Sequence, residues 1–397
     1  MTASHNSDPI VIVGMARTPM GGLLGELSGL TAPQLGAVAV KAALAEAKVD
    51  GAEVEQVIMG NVLSAGQGQA PARQAALGAG MPTSAQATTL NKMCGSGMQA
   101  VILGKTAIQA GEADIIVAGG MESMSNAPFL LSKLRGGNKY GHVAAQDHMA
   151  LDGLEDAYEQ KPMGHYADQI AREYQFTREA QDAYALETLR RAQEAAKTGK
   201  FDREIAAVEI AGKGEPLRVN ADELPKKARP DKIPSLKPAF AKDGTVTAAN
   251  ASAISDGAAA LVLMRASEAD KRGLKPLARI VATAAHAHEP QYFTTAPVPA
   301  MRKALDKAGW SVADVDLWEI NEAFAVVPMI AIKELGISPD RLNVNGGACA
   351  LGHPIGASGA RILVTLIAEM ERRGAKRGMA SLCIGGGEAT AVAVERS

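Results

Sequence analysis

The sequence predicts an α/β fold made of a duplicated unit that a long insertion interrupts. Three observations carry this reading. Strand-like runs alternate with helical patterns, as in an α/β sheet protein. Two distant stretches resemble each other at a constant displacement, and residues 124–249 differ in texture from their flanks. Residues 47–58 (Ala-Lys-Val-Asp-Gly-Ala-Glu-Val-Glu-Gln-Val-Ile) match residues 308–319 (Ala-Gly-Trp-Ser-Val-Ala-Asp-Val-Asp-Leu-Trp-Glu) at an offset of 261. Each reads as a helix end, a short turn and the start of a strand. A second landmark keeps the register. Ser96-Gly97 opens an apolar helix ending near Gly111, followed by the run Asp114–Gly120. At an offset of 262, Ser358-Gly359 opens another ending near Gly374, followed by Met379–Gly386.

Taken in order, Ile10-Val-Ile-Val13 is β-branched without polar alternation, as expected of a strand buried on both faces. Thr31-Ala-Pro-Gln34 is a capping box, and the helix it opens turns Leu35, Val38, Ala42 and Leu44 to one side until Asp50-Gly51 stops it. Its counterpart starts near Val298-Pro299 and carries Met301, Leu305 and Ala308. The interrupting stretch holds a Gly/Asn/His loop at 136–142 and an amphipathic helix from Thr177 to about Lys197. It continues into Pro225–Lys242, with four prolines, six basic residues and one acid. Each proline lacks an N–H and restricts its predecessor, so this segment is expected to be extended and irregular. The whole stretch reads as an insertion lying over the core, where binding loops commonly sit.

Composition narrows the function. A chain of 397 residues, 47% apolar and 21% charged, supports two or three domains with a large core. Lys plus Arg total 41 against 43 Asp plus Glu, so nucleic-acid binding through bulk charge is not expected. Three cysteines with no C-x-x-C spacing form no disulfide framework and point to a reducing compartment. The polar start, Met1 to Pro9, lacks a signal-peptide pattern, and the longest near-apolar run, Ala323–Ile332, is too short to span a bilayer. The expectation is a soluble cytoplasmic protein.

Cys94 lies in Asn91-Lys-Met-Cys-Gly-Ser-Gly-Met98, just before an apolar helix. The free N–H groups and positive dipole end there favour a thiolate, so a lowered pKa is expected. An arbitrary cysteine is more often structural; the Gly-Ser-Gly context turns the reading toward chemistry. His353 lies in Asn345–Gly359, where five glycines in 15 residues shape the backbone around a ligand rather than a core. The duplication sets this loop opposite the Cys94 loop, and a nucleophilic Cys needs a base such as His. Cys383 ends a strand and runs into Ile384-Gly-Gly-Gly387, whose N–H groups can hold a developing oxyanion. Cys349 reads as packing or backbone lining. Asn321, in Asn-Glu-Ala-Phe324, follows a strand and serves either to orient a water or as a helix N-cap. Lys226, Lys227, Arg229 and Lys232 can pair with phosphates, although solvated surface charge is the default for such a run. His286-Ala-His288 is too sparse for a metal site, and Gly66-Gln-Gly68 lacks the third glycine of a dinucleotide loop. The 16 methionines read as core filler.

As a set, Cys94-Gly-Ser-Gly97, Asn321-Glu-Ala-Phe324, Gly352-His-Pro354 and Cys383-Ile-Gly-Gly-Gly387 resemble the signature blocks of the thiolases, in order and spacing, over essentially the whole chain. The resemblance implies two pseudo-symmetric βαβαβ-type halves in a layered α/β/α/β/α core. It divides the chain into residues 1–123 with 250–273, a loop domain at 124–249, and residues 274–397. Val117–Asn126, Met163-Gly164 and Thr245–Ser252 are similar to the acetoacetyl-CoA branch. That branch implies reversible Claisen condensation of two acetyl-CoA to acetoacetyl-CoA and CoA by a ping-pong route. A broad-range degradative 3-ketoacyl-CoA thiolase and a non-catalytic CoA-binding protein are the alternatives.

By the same carry-over, Cys94 is the nucleophile, His353 accepts its proton and Cys383 is the acid/base. One oxyanion site is His353 with a water held by Asn321; the other is the N–H groups of Cys94 and Gly385. Leu154, Met163, Phe240, Phe293, Ala323 and Phe324 line the acyl and pantetheine pocket, and Ser252 contacts pantetheine. Lys227, Arg229 and Lys232 fall in the nucleotide segment. Pro162 stands where many members have a His, which removes one pantetheine contact. The potassium-dependent branch has a loop Tyr where this chain has Leu189, so the resemblance does not support an ion around Ala248, Ala249 and Ala251. It implies no resident cofactor or metal, CoA and its acetyl and acetoacetyl thioesters as ligands, no nucleic-acid or membrane partner, and a homotetramer built as a dimer of dimers.

Overall fold

The computed structural model describes residues 8–212 and 215–396. Residues 1–7 of the polar N-terminal stretch, and Ser397, lie outside the described residues. The first half runs β1 (Ile10–Arg17), α1 (Ala32–Ala47), β2 (Gln56–Gly60), α2 (Pro71–Gly78), β3 (Gln86–Leu90), α3 (Ser96–Ala110) and β4 (Ile115–Ser123). An excursion containing α4 (Met163–Glu173) and α5 (Arg178–Lys197) follows before β5 (Ser255–Arg265). The second half runs β6 (Ala278–Ala287), α6 (Pro297–Ala308), β7 (Leu317–Ile320), α7 (Val326–Leu335), α8 (Ser358–Arg373), β8 (Arg377–Ile384) and β9 (Glu388–Glu395).

These strands form one sheet in the order β7-β8-β9-β6-β1-β5-β4-β2-β3. Its two arms repeat the same motif. In the first, β4 is parallel to β2 and antiparallel to β5; in the second, β8 is parallel to β7 and antiparallel to β9. The ladder between the arms consists of Val11↔Arg279 and Ile12↔Ala278. Alternate side chains of both arms, Ile10, Ile12, Ile116 and Leu261 on one and Ile280, Leu317, Leu382 and Val392 on the other, share one apolar cluster with α3 and α8. The opposite faces are covered separately, the first arm by α1 and α2 and the second by α6 and α7. The result is five layers, α/β/α/β/α, with α3 and α8 at the centre.

Local chemistry explains the helix ends. Thr31 and Gln34 form the expected reciprocal cap, with Thr31 N–H donating to Gln34 Oε1 at 2.9 Å. The matching stretches at 47–58 and 308–319 each contain a short 3-10 turn with its own capping box, Asp50/Glu53 and Ser311/Asp314. Two expectations need correction. The buried side of α1 centres on Leu35, Ala39, Val40 and Ala43, with Val38 and Ala42 only half-buried. The helix packs directly on β1 at Gly14, whose missing Cβ leaves room for Ala43 and Ala47, and this turns the small residues inward. The segment 225–242 is not simply extended: Leu224–Lys227 and Pro230–Ser235 are short helical turns, each with a proline at its start, where the absent N–H costs nothing. No helix among the described residues is long and apolar enough to cross a membrane.

Candidate active site

The site forms where the ends of β3, β7 and β8 meet the starts of α3 and α8. Cys94 occupies the turn between β3 and α3. Ser96 Oγ braces that turn, accepting from Lys92 N–H at 2.8 Å and donating to the Met93 carbonyl at 2.7 Å. Met93 is held at φ 47°, a conformation a non-glycine residue adopts only when its surroundings enforce it. The pseudo-equivalent Ser358 does different work. Its hydroxyl lies 2.6 Å from His353 Nδ1 and donates its one hydrogen to the Pro354 carbonyl at 2.9 Å. Nδ1 must therefore carry the imidazole proton, which leaves Nε2 with its lone pair. Asn321 Nδ2 lies 3.4 Å from that Nε2, and Asn321 Oδ1 is buried with no partner among the described residues.

Two buried carboxylates hold the loops in place. Glu122 accepts from Asn61 Nδ2 and from the N–H groups of Val62, Leu63 and Gly356, fastening the segment behind His353 to the first half. Glu322 accepts from Tyr184, Thr188, Asn343 and the Cys349 N–H, fastening the stretch before His353 to α5. Asn61 and Asn321 follow the corresponding strands β2 and β7. The first orients a carboxylate and the second faces the imidazole.

Electrostatics set the resting protonation. Burial pushes the Cys94 thiol up to about 11, against the lowering pull of the Gly385 and Cys94 N–H groups. This overturns the expected activated thiolate: desolvation outweighs the donors at the helix start. Burial also holds the Cys383 thiol well above its ordinary value, and the neighbouring Cys94 adds to the effect. His353 is pushed down to about 3 by burial and then by the Arg361 guanidinium. The resting site thus has neutral thiols and a neutral imidazole. Cys94 remains half-buried, whereas Cys383 is 0% and His353 6% exposed.

The structure groups most of the residues singled out above. Cys383 shares one apolar cluster with Phe293, Ala323 and Phe324, against which Met163 and Phe240 pack. Phe324 stacks edge-on with both Phe240 and Phe293, centroids 6.2 Å apart in each case. Leu154 and Cys94 pack against a second cluster that contains Ile355. Gly385 directs its N–H to Cys94, and Ser252 donates its N–H to the Ala323 carbonyl at 2.9 Å. Lys227, Arg229, Lys232 and Ala248 line one cavity of about 300 Å³ with Leu189, Ala253 and Cys349. Its inner wall reaches the His353 loop, because Ala253 accepts the His353 N–H at 3.0 Å. Cys349 donates to the Glu322 carbonyl at 3.5 Å, in keeping with a lining role. His286 and His288 gather no further ligands, and no group of three or more His, Cys, Asp or Glu suited to a metal occurs among the described residues.

Sequence reasoning missed Ser358 as the imidazole's partner, and Glu122 and Glu322 as anchors. The repeat offered a signal for Ser358, since Ser96 stands at the same point of the other half. The anchors depend on distant contacts and left no local mark.

The family models "Thiolase, N-terminal domain" and "Thiolase, C-terminal domain" match residues 10–267 and 274–396. The chain belongs to the thiolase family. It is 53% identical to the acetyl-CoA acetyltransferase of Chromobacterium violaceum over 389 residues, covering 98% of this chain and 99% of that one. It is 51% identical to acetyl-CoA acetyltransferase 2 of Arabidopsis thaliana, covering 99% and 98%. The crystal structure of the Acat5 thiolase from Ascaris suum in complex with coenzyme A superposes with a TM-score of 0.93 at 44% identity, covering 98% of this chain and 100% of that one.

Proposed function

We propose that this protein is an acetyl-CoA C-acetyltransferase that condenses two acetyl-CoA into acetoacetyl-CoA and CoA, reversibly, through an acetyl-Cys94 intermediate. The observation that carries the reading is two neighbouring thiols, Cys94 and Cys383, contributed by opposite halves beside a phenylalanine-lined pocket, with the His353 imidazole facing Asn321. The relatives named above support the choice of acetyl group.

In the first half-reaction the Cys94 thiol passes its proton to His353 Nε2 as sulfur bonds to the acetyl carbonyl carbon. The bond to the CoA sulfur breaks, and the departing thiolate takes the proton back from the imidazolium. With Cys94 held as a thioester, the neutral His353 is free to serve the neighbouring Cys383. Cys383 then gives its proton to His353 and removes an α-proton from the second acetyl-CoA. The enolate carbon bonds to the acetyl carbonyl, the carbon–sulfur bond to Cys94 breaks, and the Cys94 thiolate recovers a proton from the imidazolium. Enolate charge falls on the side of His353 and Asn321, and tetrahedral charge on the N–H groups of Cys94 and Gly385. Each such donor is worth about 3–4 kcal/mol in comparable sites.

Lys227, Arg229 and Lys232 form the rim that takes the nucleotide phosphates, and Ser252 and Ala248 lie along the path of the pantetheine arm. The protein works as a soluble cytoplasmic homotetramer with no resident cofactor. Incubation with acetyl-CoA and intact-mass analysis test the reading. One acetyl group is expected on the wild type and on Cys383→Ala, and none on Cys94→Ala; acetylation of all three, or of none, would overturn it. Faster thiolysis of acetoacetyl-CoA than of a medium-chain 3-ketoacyl-CoA is expected.

A further inference from the structure

The oxyanion donors Cys94 N–H and Gly385 N–H come from opposite halves of the molecule, on two loops that are each braced within their own half but joined to each other by few contacts. After β8 the chain turns through Gly385, Gly386 and Gly387, the last two at φ 91° and 85°, and none has a side chain to anchor it. What ties this turn to the nucleophile loop is short. Gly385 N–H reaches Cys94, and the Ile384 side chain fills the space left by the missing Cβ of Gly95. Beyond these lies one ion pair, Lys92 Nζ with Glu388 Oε2. Lys92 stands two residues before Cys94, with its backbone fixed at both ends: its N–H on Ser96 Oγ and its carbonyl accepting from Gly95 N–H at 3.0 Å. Glu388 is the first residue of β9 and closes the glycine turn, opposite Ile384 in the ladder.

We propose that Lys92 and Glu388 are positioning residues, an electrostatic clamp that sets the spacing of the two oxyanion donors across the seam. The inference rests on the acetyltransferase reading for its kinetic consequence, but not for its structural one. A misplacement of about 1 Å in such a constellation can cost on the order of a hundredfold in rate. A half-exposed pair with side chains 26% and 36% exposed restrains less than that.

The test uses Lys92→Met, Glu388→Gln and the charge-swapped Lys92→Glu/Glu388→Lys in the full chain. Each single variant is expected to lower kcat about three- to tenfold, with KM for acetyl-CoA within about twofold, and the swap to recover most of the loss. High salt at saturating substrate should slow the wild type and leave Glu388→Gln unchanged. Hydrogen exchange supplies a readout free of activity: amides of residues 384–388 should exchange faster in both single variants and return toward wild type in the swap. Single variants with wild-type kcat and exchange, or a swap that recovers neither, would overturn the clamp. A wild type that takes up no acetyl group would overturn the functional reading instead, and exchange alone would then judge the clamp.

Discussion

His353 shows how one buried side chain is set to a task by a single neighbour. Ser358 accepts its Nδ1–H and so presents a bare Nε2 toward Asn321. Ser358→Ala should lower kcat about 10- to 100-fold with a small change in KM, the scale seen when the group orienting a functional His is removed. Steady-state kinetics at saturating acetyl-CoA would check it, and an unchanged kcat would remove Ser358 from the machinery. His353 also makes a pH prediction. Its folded pKa of about 3 lies below the ordinary value of 6.5, so the unfolded chain binds this proton first as pH falls. The contribution to stability is present above pH 6.5 and is lost as pH drops toward 3. Denaturation midpoints should therefore fall more steeply over that window for the wild type than for His353→Gln; parallel curves would refute the assignment.

Among the elements, α3 and α8 cross at the centre with almost no side chain between them. A Cβ on Gly97 would stand 2.8 Å from the Ala360 N and 3.1 Å from the Ala357 carbonyl, both backbone atoms that cannot give way. Gly97→Ala should cost about 1–3 kcal/mol, read as a lower midpoint in urea, and should depress activity by parting the two loops. Glu122 is the other fastening point, and all its partners are N–H donors. Glu122→Gln places a donor among donors and should destabilise by about 1–3 kcal/mol. Its activity loss should exceed what the stability change explains, since Gly356 sits three residues from His353. A variant as stable and as active as the wild type would show that the loop is held by other means.

For the molecule as a whole, the basic side chains and the thiols are housed separately. The basic rim lies in the insertion, and the thiols lie in the duplicated core. Replacing Lys227, Arg229 and Lys232 together with glutamine should raise KM for acetyl-CoA about tenfold and flatten its salt dependence, with kcat within about twofold. Equal salt slopes would exclude the rim from phosphate binding. Much of this plan was legible in the chain. The offset between Ser96 and Ser358 and the capped turns at 50–53 and 311–314 placed the halves in register, because helix starts and glycine stops are written locally. The Cys94, Asn321, His353 and Cys383 blocks pointed to one site for the same reason. What stayed hidden depends on distance in space: the twist of α1 at Gly14, the anchoring carboxylates, and the burial that holds Cys94 protonated. Local context at a helix start argued for an activated sulfur, and desolvation reversed it. That reversal has a consequence for survival in the cell. Peroxides and alkylating metabolites attack sulfur as its anion, and burial that raises the Cys94 thiol keeps that anion scarce at neutral pH. Oxidation of Cys94 should accordingly be slower than that of a free cysteine.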